Sequence, residues 1–155
     1  MFKNDATSNI DLEDMADRLK LNLVGVYSKD ELPDKIQVGS YIINLQNSTE
    51  GNGTHWTLIM VFDRKNALYF DAFGQIFPKE VGVFLKNYKP IPYSNRIIQD
   101  VDSNRCGLYC IACMHYMSRI RRKEMLEQYD DFLNLFRGNP KQNDKILVDY
   151  LKRII

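Results

Sequence analysis

The chain has 155 residues, 45% of them hydrophobic, and 21 basic against 20 acidic residues give a net charge of +1. A chain of this length can bury a core without disulfides or metal, so one compact soluble domain over residues 1–155 is expected. The near-zero charge gives no electrostatic case for nucleic acid or membrane as a partner. No apolar run approaches a membrane span, and the start, MFKNDATSN, does not read as a signal peptide.

In chain order, residues 1 to 9 are polar and expected to be loose, with Asn9 as a candidate cap. From Asp11 to Lys20 acidic residues come early and basic ones late. Leu12, Met15, Ala16 and Leu19 recur there at helical spacing, which predicts an amphipathic helix. Leu21 to Tyr27 is mixed, and Ser28 to Pro33 reads as a short helical turn stopped by proline. Ser40 to Leu45 predicts a buried strand, Gln46 to Gly53 a loop, and His55 to Phe62 a second strand. Asp63 to Asn66 forms a hairpin turn centred on Lys65, from which Ala67 to Phe73 returns antiparallel. Pro78 to Tyr88 reads as a helix and Ser94 to Gln99 as a short strand. A further helix runs from Cys106 to about Ile120, and Lys123 to Phe136 and Gln142 to Ile155 close the chain as helices.

The informative stretch runs from Gln99 to Met117. A polar loop, Asp100 to Arg105, feeds an apolar helix, and Cys106 stands at the junction. Unpartnered N–H groups and a partial positive charge at a helix start favour thiolate over thiol, which suits a nucleophile. Ser103 or Asn104 can cap this helix, and Gly107 is expected to leave the backbone beside Cys106 open to a substrate.

A nucleophilic thiol needs a base, and the chain has two histidines. His115 follows Cys106 by nine residues, about 13 Å along a helix and on its opposite face, so it does not reach. His55, at the head of a strand, remains. Asp71, on the returning strand, falls toward the His55 end of the hairpin, where its carboxylate can hold one imidazole nitrogen and leave the other for Cys106. The other reading of Asp71 is a residue that ends the strand and opens the turn at Gly74. Gln99 closes the strand before the nucleophile loop, so its amide N–H can join the Cys106 backbone N–H in holding an oxyanion.

The three cysteines, 106, 110 and 113, share one element and cannot form a disulfide framework, which points to a reducing compartment. Their x3 and x2 spacing matches that by which radical-SAM enzymes hold an iron–sulfur cluster. The intervening residues continue an apolar helix, however, and the chain is too short for the barrel such a site needs. Cys110, Cys113 and Met117 are therefore read as core, with no metal and no cofactor expected. The basic cluster Arg119, Arg121, Arg122 and Lys123 reads as a solvated helix end.

The order His55, Asp71, Gln99, Cys106, carried by GTHWTLIMVF, ALYFDAFG and IQDVDSNRCGLYCIACMHYM, resembles the adenain-type maturation cysteine proteases of DNA viruses and virophages. These are similar in turn to SUMO- and ubiquitin-like-protein proteases. The resemblance covers residues 39–120. It implies a papain-like α+β fold, a small central mixed sheet flanked by helices with the nucleophile at the start of a core helix. It also implies roles: His55 as base and general acid, Asp71 as its orienting group, Cys106 as nucleophile, Gln99 in the oxyanion hole. Trp56 would line the site beside His55, or serve as a core aromatic of its strand, and Gly107 would border the substrate. The substrate implied is a capsid or core precursor protein cut at Gly-Gly or Gly-X-Gly type sites, in host cytoplasm, viral factory or virion. A peptide or DNA activator is implied by resemblance alone, and a monomer is expected. The same residues also suit an isopeptidase for a ubiquitin-like modifier, an acetyltransferase using the same triad, or a binding module in which the site residues are relics.

Overall fold

The computed structural model describes residues 7–46, 55–119 and 123–155. Residues 1–6, 47–54 and 120–122 lie outside them, and with them all of the predicted Gln46 to Gly53 loop except Gln46. The fold is α+β: a small mixed sheet of four strands flanked by helices.

Helix α1 spans Asn9–Arg18, and its cap is Ser8, one residue before the expected Asn9. The Ser8 hydroxyl accepts from the Asp11 N–H and the Asp11 carboxylate accepts from the Ser8 N–H, a reciprocal pair that satisfies two otherwise open donors. The mixed segment after it forms strand β1, Leu23–Ser28, which pairs in parallel with β2, Gly39–Asn44. Strand β2 pairs antiparallel with β3, Trp56–Val61, and β3 with β4, Ala67–Phe70. The parallel pair with β2 orders β1, although its own residues carry little strand pattern.

Strands β2, β3 and β4 are buried along their whole length because both sheet faces are covered. Ile42, Leu58, Met60, Leu68 and Phe70 point to the face packed by most of the helices, while Tyr41, Ile43, Ile59, Val61 and Tyr69 point to the other. That second face is closed by α2, Lys79–Phe84, with Val81 and Leu85, and by Ile91. Helix α2 is shorter than the span predicted to Tyr88. The first face carries α3, Cys106–Ser118, with α4, Met125–Leu133, and α5, Pro140–Ile154, behind it. Helix α5 begins earlier than expected because Asn139 caps it and Pro140 occupies its first turn. Helix α3 is apolar on nearly every side and is buried accordingly. Cys110, Cys113 and Met117 all lie in that core.

The 94–99 segment is not a strand. It is tied instead by single contacts: Tyr93 bridges Tyr69, and the Ala72 carbonyl accepts from both Ile98 N–H (3.0 Å) and Gln99 N–H (3.1 Å). Strand β4 also ends at Phe70, three residues early, because Asp71 turns the chain. The Phe73 N–H donates to Asp71 Oδ1 and the Gly74 N–H to the Asp71 carbonyl, each at 2.8 Å. Gly74 adopts φ +70°, and a Cβ there would lie 2.7 Å from the Arg96 carbonyl oxygen. Replacing Gly74 by Ala should therefore cost about 1–3 kcal/mol, read as a lower urea midpoint at unchanged slope. A wild-type midpoint would show that the turn does not need this backbone.

Candidate active site

His55 precedes β3 directly, and its carbonyl accepts from Leu45 N–H at 3.1 Å, which fixes it against the end of β2. Val61 stands opposite Ala67 and Leu58 opposite Phe70, so the hairpin is centred on Arg64, one residue before the expected Lys65. Continued by one step, this register puts Asp71 level with Thr57, two residues from His55. The two side chains meet there: His55 Nε2 lies 2.8 Å from Asp71 Oδ1. Both readings of Asp71 hold, since the same carboxylate oxygen binds the imidazole and opens the turn toward Gly74. Asp71 is fully buried and His55 largely so.

With Nε2–H donating to Asp71, a neutral His55 keeps Nδ1 as its acceptor, and the group this nitrogen faces is the Cys106 side chain. Burial pulls the His55 pKa down, but the hydrogen bond to Asp71, the contact with Cys106 and the negative charge of both outweigh it, and the value rises to about 9. Phe73 packs its ring on the imidazole, with centroids 4.7 Å apart and planes at 31°. This aromatic face favours the charged form as well.

Cys106 opens α3, as expected, but the helix cap is Arg105 and it makes no side-chain cap hydrogen bond. Ser103 serves the loop instead, its hydroxyl accepting from Arg105 N–H at 3.2 Å. Trp56 is a core aromatic: its ring is buried and its indole N–H donates to the Thr7 carbonyl at 3.0 Å. Its backbone, rather than its ring, touches the sulfur, with Trp56 N–H 3.3 Å from Cys106 Sγ.

Gly107 is also placed differently from the expectation. A Cβ there would meet Leu12 at 2.9 Å, Thr7 at 3.0 Å and Trp56 at 3.2 Å. Glycine is present because α1 and Trp56 pack directly on α3, so its side of the backbone is covered by protein and not open.

Gln99 is fully buried, and its Nε2 donates to the Ser103 carbonyl at 2.9 Å. That bond requires the nitrogen to face Ser103 and leaves Oε1 buried without a hydrogen-bonding partner. The amide thus braces the loop before Cys106 from inside, where the expectation had it facing a substrate. His115 is on the far side of α3, where its Nδ1 lies 2.7 Å from the Tyr150 hydroxyl, and burial followed by the nearby Arg119 charge lowers its pKa. Burial raises the Cys110 and Cys113 thiols well above the ordinary value, so neither is ready to ionise. Among the described residues, no cluster of three or more His, Cys, Asp or Glu is arranged to hold a metal. Sequence reasoning missed Phe73, Tyr109, Asn143 and Asp144. Phe73 was within reach through the turn after Asp71, whereas the others touch the loop from distant parts of the chain.

No family model matches the chain, and no curated protein matches it. It is similar in fold to a solved structure, the central domain of the uncharacterized Lpg1148 protein from Legionella pneumophila. The TM-score is 0.53 at 10% identity, over 97% of this chain and 96% of that one. At that identity the likeness speaks to the fold alone. Among the described residues no helix is long and apolar enough to cross a membrane.

The raised histidine has a consequence for stability. With an unfolded value near 6.5 and a folded value of about 9, the pairing of His55 contributes fully below about pH 6.5 and is lost as pH rises through about 9. An NMR titration of His55 should have its midpoint near 9, and Asp71→Asn should lower it by more than one unit. An unchanged midpoint in the variant would refute the pairing.

Proposed function

We propose that this chain is a cysteine endopeptidase of the adenain type, with a papain-like arrangement of helix and sheet. The observation that carries the reading is the placement of His55, bound through Nε2 to buried Asp71 and facing Cys106 with Nδ1. In the reaction His55 takes the Cys106 proton at Nδ1, and the thiolate attacks a peptide carbonyl. The developing oxyanion is held by the Cys106 backbone N–H, and not by the Gln99 amide of the expectation, which is buried and donates to the Ser103 carbonyl, bracing the loop that sets that N–H. His55 then returns the proton to the leaving amine, and water, deprotonated by His55, hydrolyses the thioester. Asp71 holds the imidazole in the tautomer this sequence needs and stabilises its charged form.

The substrate class follows from the motif resemblance: capsid or core precursor proteins, cut at glycine-rich junctions during virion maturation, in the host cytoplasm, viral factory or virion. Supporting the enzyme reading over a relic site is the buried Asp71 carboxylate, which a fold that does not use the pair could replace by apolar volume at no cost.

Cleavage of peptides carrying Gly-Gly and Gly-X-Gly junctions, followed by mass spectrometry, tests the proposal. Cys106→Ser should fold and lose turnover, His55→Ala should lose about 10²- to 10⁴-fold, and Asp71→Asn should cost less than either. Retained cleavage by Cys106→Ser would overturn the nucleophile assignment. Hydrolysis of a ubiquitin-like C-terminal reporter with no cleavage of the glycine-rich peptides would assign the same site to an isopeptidase.

A further inference from the structure

The eight residues from Ile98 to Arg105 carry the chain from the Ala72 tether to the nucleophile, and they contain no regular structure. Inside the loop, Ser103 N–H donates to the Asp100 carbonyl at 2.9 Å, and Gln99 and Ser103 make the bonds already described. These bonds shape the loop, and the Ala72 carbonyl tethers its first two N–H groups to the turn after β4.

Two consecutive residues of α5 hold it at both ends. Asn143 Nδ2 donates to the Ile98 carbonyl at 3.0 Å, at the loop's start. Asp144 Oδ2 accepts from Arg105 at 3.1 Å, at its end, and Asp144 Oδ1 accepts from the Tyr109 hydroxyl at 2.6 Å, one turn into α3. Asn143 and Asp144 are both buried. A buried carboxylate is a costly way to join two helices, since apolar side chains of similar volume do it as well or better. What the polar set adds is direction: each bond has a preferred length and angle, and together they hold both ends of the loop from one helix turn.

We infer that Asn143 and Asp144 are positioning residues for Cys106, setting the course of the 98–105 loop and so the place of the thiol opposite His55. This rests on the reading of Cys106 and His55 as a working pair. Asp144 acts through Arg105, the residue before the nucleophile, and through Tyr109, the residue three after it. Without Asp144, both lose a bond that fixes their place, and the helix start gains freedom to shift relative to β3.

The test is the rate of Cys106 alkylation by iodoacetamide between pH 5 and 9, with sites assigned by mass and stability followed by thermal melting. Wild type against His55→Ala tests the pair itself: a faster reaction at low pH in wild type that is lost in the variant is expected. Identical profiles would overturn the pair and this inference with it. Asp144→Asn then separates position from charge, because it leaves the Arg105 cation beside Cys106 without its carboxylate. A purely electrostatic influence makes the thiol more reactive at pH 6, whereas loss of position makes it about tenfold slower or more. A faster or unchanged reaction overturns the inference.

Because Asp144→Asn also removes a carboxylate from the partly buried Arg105 guanidinium, Arg105→Met with Tyr109→Phe and Asp144→Leu provides a second variant, in which the polar set is replaced by apolar volume. It should melt near the wild-type temperature and still show the slow reaction. A wild-type profile in that variant would show that packing alone positions Cys106, and would overturn the inference while leaving the Cys-His pair intact.

Discussion

The organising constraint in this molecule is that α3 is buried on nearly all sides. A helix apolar all round has to be covered by sheet on one side and by helices on the others, and α1, α4 and α5 provide that cover around the face formed by Ile42, Leu58, Met60, Leu68 and Phe70. Burial fixes the depth and angle of α3, and with them the point at which its first residue meets the head of β3. The approach is closest at Gly107, where Leu12, Thr7 and Trp56 leave no room for a side chain. Cys106 therefore reaches the Trp56 backbone N–H and His55 as a result of core packing. Chemistry and stability are joined at one residue step: Cys106 faces the histidine, and Gly107 closes the core.

The second determinant is the turn after β4. Asp71 ends the strand by binding the Phe73 N–H and turns the same oxygen toward His55, while Gly74 takes the backbone conformation that other residues avoid. The short span from 71 to 74 thus supplies the orienting carboxylate, the aromatic face beneath the imidazole and the corner that leads the chain away. Ala72 adds the tether for Ile98 and Gln99, so the acid and the loop before the nucleophile are connected through one carbonyl group. The hairpin register brings Asp71 to His55, and this carbonyl then joins their turn to the loop before Cys106 without a regular strand at 94–99.

Much of this was legible in the sequence because it is local. The apolar runs in β2, β3 and β4 signal strands, the helical run from Cys106 signals a core helix, and eliminating His115 leaves His55. The hairpin brings Asp71 within range once its turn is recognised. What the sequence concealed depends on tertiary contact. Strand β1 exists because β2 is beside it, the 94–99 segment is held by a few carbonyls and never becomes a strand, and Trp56 turns its ring into the core because the segment before α1 offers the Thr7 carbonyl. The closure over Gly107 and the grip of α5 on the loop join residues tens of positions apart, and no periodicity records them.

The three cysteines also set how this protein responds to oxidants. All three are buried: Cys106 lies against a histidine at the start of α3, while Cys110, one turn along the same helix, and Cys113 sit deeper in the core, where burial raises their thiol pKa values. A sulfenic acid formed at Cys106 would thus find neither of these thiols able to attack it and trap it as a disulfide. Rescue has to come from a small external thiol, and in its absence oxidation proceeds to the sulfinic and sulfonic acids, which cannot be recovered in this way. Oxidation at Cys106 would thus be reversible only while a small external thiol is at hand.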